Sequence, residues 1–302
     1  MSGFFSRVGR VAAMEWGLAV RSRRAMVMTL LFLAVAAGTM YLTITSFIVV
    51  EREVLSSLGL PTDGVPGAAM MTLWKSKPFV SFVEHISGGS LVFADIRGRH
   101  PILLVYAIFL FQIVPLLTLL VSASRVAADV RSGAARYWLV RVTRTEWSLG
   151  KFLGEALMLA SAMAVGALAA WGVVLARLPL AHGAAMLPGI LDWTLRAWVY
   201  AFAWLGFFLG LSHIVKSGGK ATALCILALF GAAAWVPMLE NLAENVPGFG
   251  WATHLDVLAP GASWTLLFRR SVSVVFEGVV RHASVAFLYL ALGAAVFRRR
   301  DV

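Results

Sequence analysis

Apolar residues gather along the chain into six long runs, covering about 25–50, 101–124, 152–176, 197–214, 221–239 and 279–297. A helix rises ~1.5 Å per residue, so about 20 apolar residues cross the hydrocarbon of a bilayer. Continuous runs of this length predict membrane-spanning helices, because barrel strands would show short alternating segments. The pattern therefore predicts an all-α polytopic membrane protein with six transmembrane helices. Pro115, near the middle of the second run, predicts a kink. The last run is short for a span unless Arg281 snorkels.

The stretches between the runs differ in kind. Residues 1–24 read as an N-terminal interfacial helix. At 100° per residue, Phe4, Phe5, Val8, Val11, Ala12, Trp16, Leu18 and Ala19 share one arc, and Ser6, Arg7, Arg10, Gly17 and Arg21 take the other. An apolar face opposite a basic one predicts a helix lying in the membrane surface. Glu15 falls in the apolar arc, where a charge facing lipid is costly. It either snorkels to headgroups or pairs locally with an arginine, or else it touches the bundle or a partner. Residues 25–302 form the six-span domain, with an insert over 51–100. This insert is too long, and around Met70, Met71, Leu73 and Trp74 too apolar, for a bare connector, which predicts a small subdomain with one or two helices. Residues 240–281, with Pro247, Gly248, Gly250, Pro260 and Gly261, predict two short helices, around Leu242 and over 264–276, dipping partway into the membrane before the last span.

The most informative stretch is the elbow 125–151, RVAADVRSGAARYWLVRVTRTEWSLGK. It predicts helix, break, helix: Val126, Val130 and Tyr137 lie near helical spacing, Arg125 and Asp129 stand four apart as a helical ion pair, and Gly133 interrupts. Thr143-Arg144-Thr145-Glu146 reads as a capping box opening the next long helix. A structured cationic elbow between two spans is a shape a soluble partner can grip. The plainer reading is a positive-inside loop that only sets topology.

Composition confirms the class. Hydrophobic residues make up 60% of the 302 residues, with a mean hydropathy of +0.83, where a soluble domain has roughly 45–50%. The net charge of +11 would suggest nucleic acid in a soluble protein. Here it sorts by membrane side. The N-terminal helix, the elbow, the tight turn 216–220 and the C-terminus hold 16 of the 26 Lys and Arg residues and, with Glu155 at the near end of the third run, five of the 15 acids, so the other side is balanced. This asymmetry predicts that both termini and the elbow are cytoplasmic, and it needs no nucleic-acid partner. The single cysteine, Cys225, excludes an intrachain disulfide. No cleavable signal peptide is expected, because the first apolar run is too long for one.

Searches for chemistry return little. Gly150-Lys151 and Gly219-Lys220 lack the first glycine and the hydroxyl residue of a phosphate loop. The six histidines show no metal-ligand spacing, and His213 reads as a helix-end cap before it reads as a cofactor ligand. The expected spans carry almost no ionisable residues, which argues against an ion-driven carrier, and no polar cluster suggests an intramembrane enzyme. Ser161, Gly166 and Gly172 suit close helix packing. Trp16, Trp74, Trp171, Trp193 and Trp251 fit aromatic belts.

The elbow resembles that of type-2 ATP-binding-cassette (ABC) exporter permeases, in which an acidic residue, a glycine, an arginine and a Gly-Lys pair follow in order. Asp129, Gly133, Arg144 and Gly150-Lys151 meet those positions, with Arg136 on the same elbow. Glu15 with Arg21, Arg23 and Arg24 is similar to the family's interfacial helix and its basic cluster, and Phe297-Arg298-Arg299-Arg300-Asp301 to its ending. The proline often found before the arginine is replaced by Val142 and Thr143. The insert resembles that of permeases of nitrous-oxide-reductase maturation and gliding-type systems. The resemblance implies a non-enzymatic permease subunit in the bacterial inner membrane with no cofactor of its own. ATP and Mg would be bound by a separate ABC ATPase subunit. A second permease copy, membrane lipid and an extracytoplasmic protein are the further partners implied. The expected cargo is lipophilic or amphipathic, or the machine works only on that outer partner. A membrane scaffold without transport is the alternative.

Overall fold

A computed structural model describes residues 2–57, 77, 80, 81, 84, 95–97, 99–246 and 248–299. Nine helices are defined among them: α1 (Ser2–Val20), α2 (Arg23–Ser57), α3 (Pro101–Ser122), α4 (Arg125–Ser132), α5 (Ala134–Leu139), α6 (Arg144–Arg177), α7 (Leu180–Ile214), α8 (Gly218–Asn245) and α9 (Val272–Arg298). Two 3₁₀ helices, Gly250–Leu258 and Trp264–Phe268, precede the last. There is no strand among the described residues. Six helices are long and apolar enough to cross a membrane, and the protein is an all-α polytopic membrane protein. The apolar patch expected at 70–74 and the terminal Arg300-Asp301 lie outside the described residues.

Local signals set several of these boundaries. The Ser22 hydroxyl donates to the Ala19 carbonyl (2.6 Å) and accepts from the Ala25 amide (3.2 Å), so one side chain closes α1 and caps α2. Pro101 opens α3 at N1, where its missing amide has no cost. Thr143 and Glu146 form the expected capping box at the start of α6. Three expectations shift. The fourth span begins at Leu180 rather than 197, running through Pro188, with an Arg196–Asp192 pair (2.8 Å) one turn apart on its surface. It therefore carries ionisable residues that had been placed outside it. The fifth span continues to Asn245, so Leu242 lies on α8 and not on a separate short helix. Ordinary helical residues carry the chain through Pro237 until Gly248, at φ +86°. The last span starts at Val272, so Arg281 sits within it, paired with Glu277 at 2.6 Å. The two short helices are the 3₁₀ segments, tied back to the bundle by Trp235 Nε1 to the Leu255 carbonyl (3.1 Å) and Tyr289 hydroxyl to the Leu258 carbonyl (2.9 Å).

At ~1.5 Å per residue, the 34 residues of α6 and the 35 of α7 make rods of about 51–53 Å, longer than the ~30 Å hydrocarbon. These two helices form the hairpin on which the bundle is built. α7 is the core: 72% of its most apolar window is buried inside the protein, against 11% for α8, which faces outward on the periphery. α7 and α9 meet backbone to backbone. A Cβ on Gly206 would stand 2.3 Å from the Ala286 carbonyl oxygen, and one on Gly293 would stand 2.5 Å from that of Gly210. Such contact lets dispersion and weak polar interactions act where lipid gives no hydrophobic drive between helices. On the other side, α6 packs against α1 and α2.

Candidate functional site: the elbow and its ionic seam

The elbow is two short helices joined by Gly133. Its φ of +78° lies in the left-handed region that favours glycine, and it ends α4 and starts α5. Val126, Ala127 and Ala135 are buried, and the Ala127 amide donates to Ser212 Oγ (3.2 Å) on α7. The tip points outward. Val140 is 86% exposed and Tyr137 58%, with Arg136 and Arg141 exposed beside them; the Arg141 guanidinium stacks over the Tyr137 ring at 4.5 Å. The elbow thus presents an apolar and basic tip on a buried base.

Beneath that base lies a seam of buried charges. Lys151, on the second turn of α6, is 1% exposed. Its Nζ donates to Glu15 Oε1 (2.8 Å) on α1 and pairs with Asp129 on α4, and it lies 5.1 Å from the Trp147 ring centroid. Glu155, one turn further along α6, pairs with Arg125 through Oε1, while its buried Oε2 has no hydrogen-bond partner. Arg7 binds Glu146 at 2.8 Å. Five charged side chains from α1, α4 and α6 therefore lock three helices together, with Glu15, Asp129 and Glu155 against Arg125 and Lys151. Burial of so many charges is tolerable only because each finds an opposite partner; deleting one strands the others.

Two glycines allow this approach. A Cβ on Gly150 would lie 2.4 Å from Val11 Cβ, and one on Gly154 would lie 2.6 Å from Glu15 Cβ. The apolar face of α1 accordingly splits. Val8, Val11, Ala12 and Ala19 turn inward onto the bundle, while Phe5, Trp16 and Leu18 remain exposed. Glu15 makes neither a snorkelled contact nor an arginine pair; it contacts the bundle through Lys151. The helical pair expected between Arg125 and Asp129 is replaced by two tertiary pairs, because each residue finds a buried partner on α6.

Not every sequence-predicted residue joins this seam. Arg136 is on the exposed tip. Arg144 turns to the end of α9, donating from Nη1 to the Phe297 (2.5 Å) and Arg298 (2.9 Å) carbonyls, so it satisfies a helix C-terminus. Arg21 and Arg23 are exposed at the α1–α2 turn, away from the seam; the Arg24 side chain lies outside the description. His213 is a structural tie: Nδ1 donates to the Leu209 carbonyl (2.7 Å), leaving Nε2 to accept from the Ser148 hydroxyl (2.8 Å). Sequence reasoning passed over Arg7, Arg125, Glu146 and Glu155 as site residues. The position of Glu155 four residues after Lys151 was the available signal, although the two pair outward and not with each other. At the base of the elbow the seam's charges are occupied with one another. The described residues contain no group of three or more His, Cys, Asp or Glu placed to hold a metal ion.

The family model described as ABC-2 family transporter protein matches residues 10–302, which includes α1 from Arg10 onward, the elbow and all six spans. A comparison with curated proteins gives no match. With a match over nearly its whole length, the chain belongs to the ABC-2 transporter family.

Proposed function

We propose that the protein is the permease subunit of an ABC exporter, driven by ATP and Mg bound on a separate ATPase subunit that grips the 125–151 elbow. The observation that carries this reading is the exposed apolar and basic tip of α5 on a base keyed to α1 and α6 by the Lys151 seam. A plain topology loop needs no such anchoring. In this reading the elbow and both termini are cytoplasmic, the membrane is the bacterial inner membrane, and a second copy of the chain completes the transporter as a homodimer. Closure of the ATPases pushes the tip, and the seam carries the push into α6 and α1 together. ATP shifts the permease between two arrangements only by binding one better than the other.

A lipophilic or amphipathic cargo is supported by two apolar crevices flanking the loosely packed α8. One, of about 430 Å³, is lined by Leu31, Leu117, Leu120, Ile226 and Phe230. The other, of about 360 Å³, is lined by Phe207, Trp235, Pro260 and Tyr289. The 51–100 insert is the proposed contact for an extracytoplasmic partner, as in the subset the sequence resembles.

The test is affinity purification from mildly solubilised native membranes, followed by mass spectrometry. Recovery of an ABC ATPase that is lost on Tyr137→Ala with Val140→Ala supports the reading. A complex that contains the outer protein but no ATPase supports a scaffold instead.

A further inference from the structure

Beside the crevice of about 360 Å³ lies a buried polar trio: Tyr200 and Trp204 on α7, and His282 on α9. They are 6%, 4% and 2% exposed. Tyr200 stands between the other two, its ring centroid 5.5 Å from that of His282 and 6.4 Å from that of Trp204. His282 Nδ1 lies 2.7 Å from the Gly278 carbonyl. A carbonyl only accepts, so Nδ1 carries the proton and Nε2 presents a lone pair. That Nε2 is buried and has no hydrogen-bond partner. The Trp204 indole N–H can only donate; it lies near the Tyr200 hydroxyl but has no partner of good geometry. Open donors and acceptors buried side by side are uncommon, and inside helices long enough to span a membrane they mark a place for a ligand.

The trio adjoins the crevice through two of its lining residues. Pro260 lines the crevice, and a Cβ on the next residue, Gly261, would stand 3.3 Å from both the Tyr200 hydroxyl and the Trp204 ring. A glycine there leaves room between crevice and trio. Phe207 also lines the crevice, and its ring centroid is 6.4 Å from that of Trp204 and 4.7 Å from that of Tyr289. An apolar, aromatic slot therefore ends beside a neutral polar group.

The chemistry of that group narrows the ligand. Among the described residues, no carboxylate or cation pairs with Tyr200, Trp204 or His282. A lone pair on Nε2 repels an anion, and an indole N–H repels a cation. A hydroxyl is the smallest neutral group that donates to one and accepts from the other. We propose that Trp204, Tyr200 and His282 bind the hydroxyl head of a lipophilic alcohol whose chain lies in the aromatic crevice. The proposal rests on the reading of a lipophilic or amphipathic cargo and names its polar end; it is assayed without the ATPase.

The experiment labels the purified full chain, in phosphatidylcholine nanodiscs, with a photoreactive diazirine alkanol. Adducts are located by peptide mass spectrometry while dodecanol, dodecyl methyl ether or dodecane competes at equal mole fraction in the bilayer. Saturable adducts on the crevice walls are expected, displaced by dodecanol about tenfold more readily than by dodecane. The ether accepts but does not donate, so it should fall between them. His282→Phe removes the acceptor and should bring dodecanol down to the level of the ether. Trp204→Phe removes the donor and should lower dodecanol and ether together. Each readout is a ratio within one variant, so a change in overall stability cancels. The proposal is overturned if no saturable adduct forms, or if both variants keep the full preference for the alcohol. Displacement by dodecane as ready as by dodecanol also overturns it, while leaving a purely apolar cargo standing.

Discussion

Lys151 holds the permease's elbow to its bundle. It is a primary amine at 1% exposure between two carboxylates. Lys151→Met is expected to destabilise the protein by about 3–5 kcal/mol, because it strands Glu15 and Asp129. Glu15→Gln should cost less, since Asp129 still pairs with the lysine. Thermal unfolding in detergent of the two variants and their double mutant checks the order, and the double mutant should be better than the sum of its parts. A second residue-scale expectation concerns pH. Burial, with nearby His182, lowers the pKa of His100 to about 4. The unfolded chain takes up that proton near pH 6.5, the folded one only near 4. Stability from this residue is therefore unchanged above pH 6.5 and lost as pH falls from 6.5 towards 4. His100→Asn should remove about 1 kcal/mol of that loss, after discounting for partial exposure, in paired melts at pH 7.5 and 5. At this scale the sequence was partly legible. The Gly-Lys pair and the acid of the elbow pointed to Lys151 and Asp129. Glu15, the second partner of Lys151, lies 136 positions from it, and Glu155 is 30 from Arg125. Periodicity carries no information about pairs so far apart, so Arg125 and Asp129 were read as a local pair.

Among the elements, the seam between α1 and α6 depends on two absent side chains. Gly150→Val would place a branched carbon where Val11 already sits. The expected result is a detached α1, seen as faster tryptic cleavage at Arg7 and Arg10 with the six spans intact. Gly206→Ala should be more damaging, because its Cβ meets Ala286 backbone, which cannot rotate away; a loss of about 2–4 kcal/mol is expected from overpacking at a fixed contact. Sequence reading located the motif class but not the right members. Gly166 does meet Phe32 and Ala36, whereas Gly172 faces open space. The close pair, Gly206 and Gly210, stands four residues apart in plain view, the spacing that small residues use at helix crossings. Trp193, expected in an aromatic belt, is instead buried beneath two arginines. Element ends were misjudged at the start of α7, which runs through Pro188, and at the end of α8, which runs on past Pro237. In both places the helix continues, because a proline one or more turns inside a packed helix bends it without ending it.

For the whole molecule, six apolar helices, an N-terminal amphipathic helix and a structured elbow were legible because hydropathy and caps are local signals. The arrangement that gives them a use is not local. Lys151 on α6 ties both α1 and α4, Arg7 and Glu146 tie α1 to α6 a second time, and Arg144 ties α6 to the end of α9. In the proposed mechanism, ATP-driven motion enters at the elbow and passes through this seam into the bundle. It is tested most directly by spin-label distances on the far side of the membrane, in the complex with its ATPase. Leu180→Cys and Val272→Cys place labels on exposed starts of α7 and α9, and the buried Cys225 stays unlabelled. Trapping the ATPase with ATP and vanadate should change the distance distribution. Asp129→Lys, which sets a second cation against Lys151, should abolish that change while the ATPase remains bound. An unchanged response in Asp129→Lys would contradict the account and leave the elbow as a loop that sets topology alone.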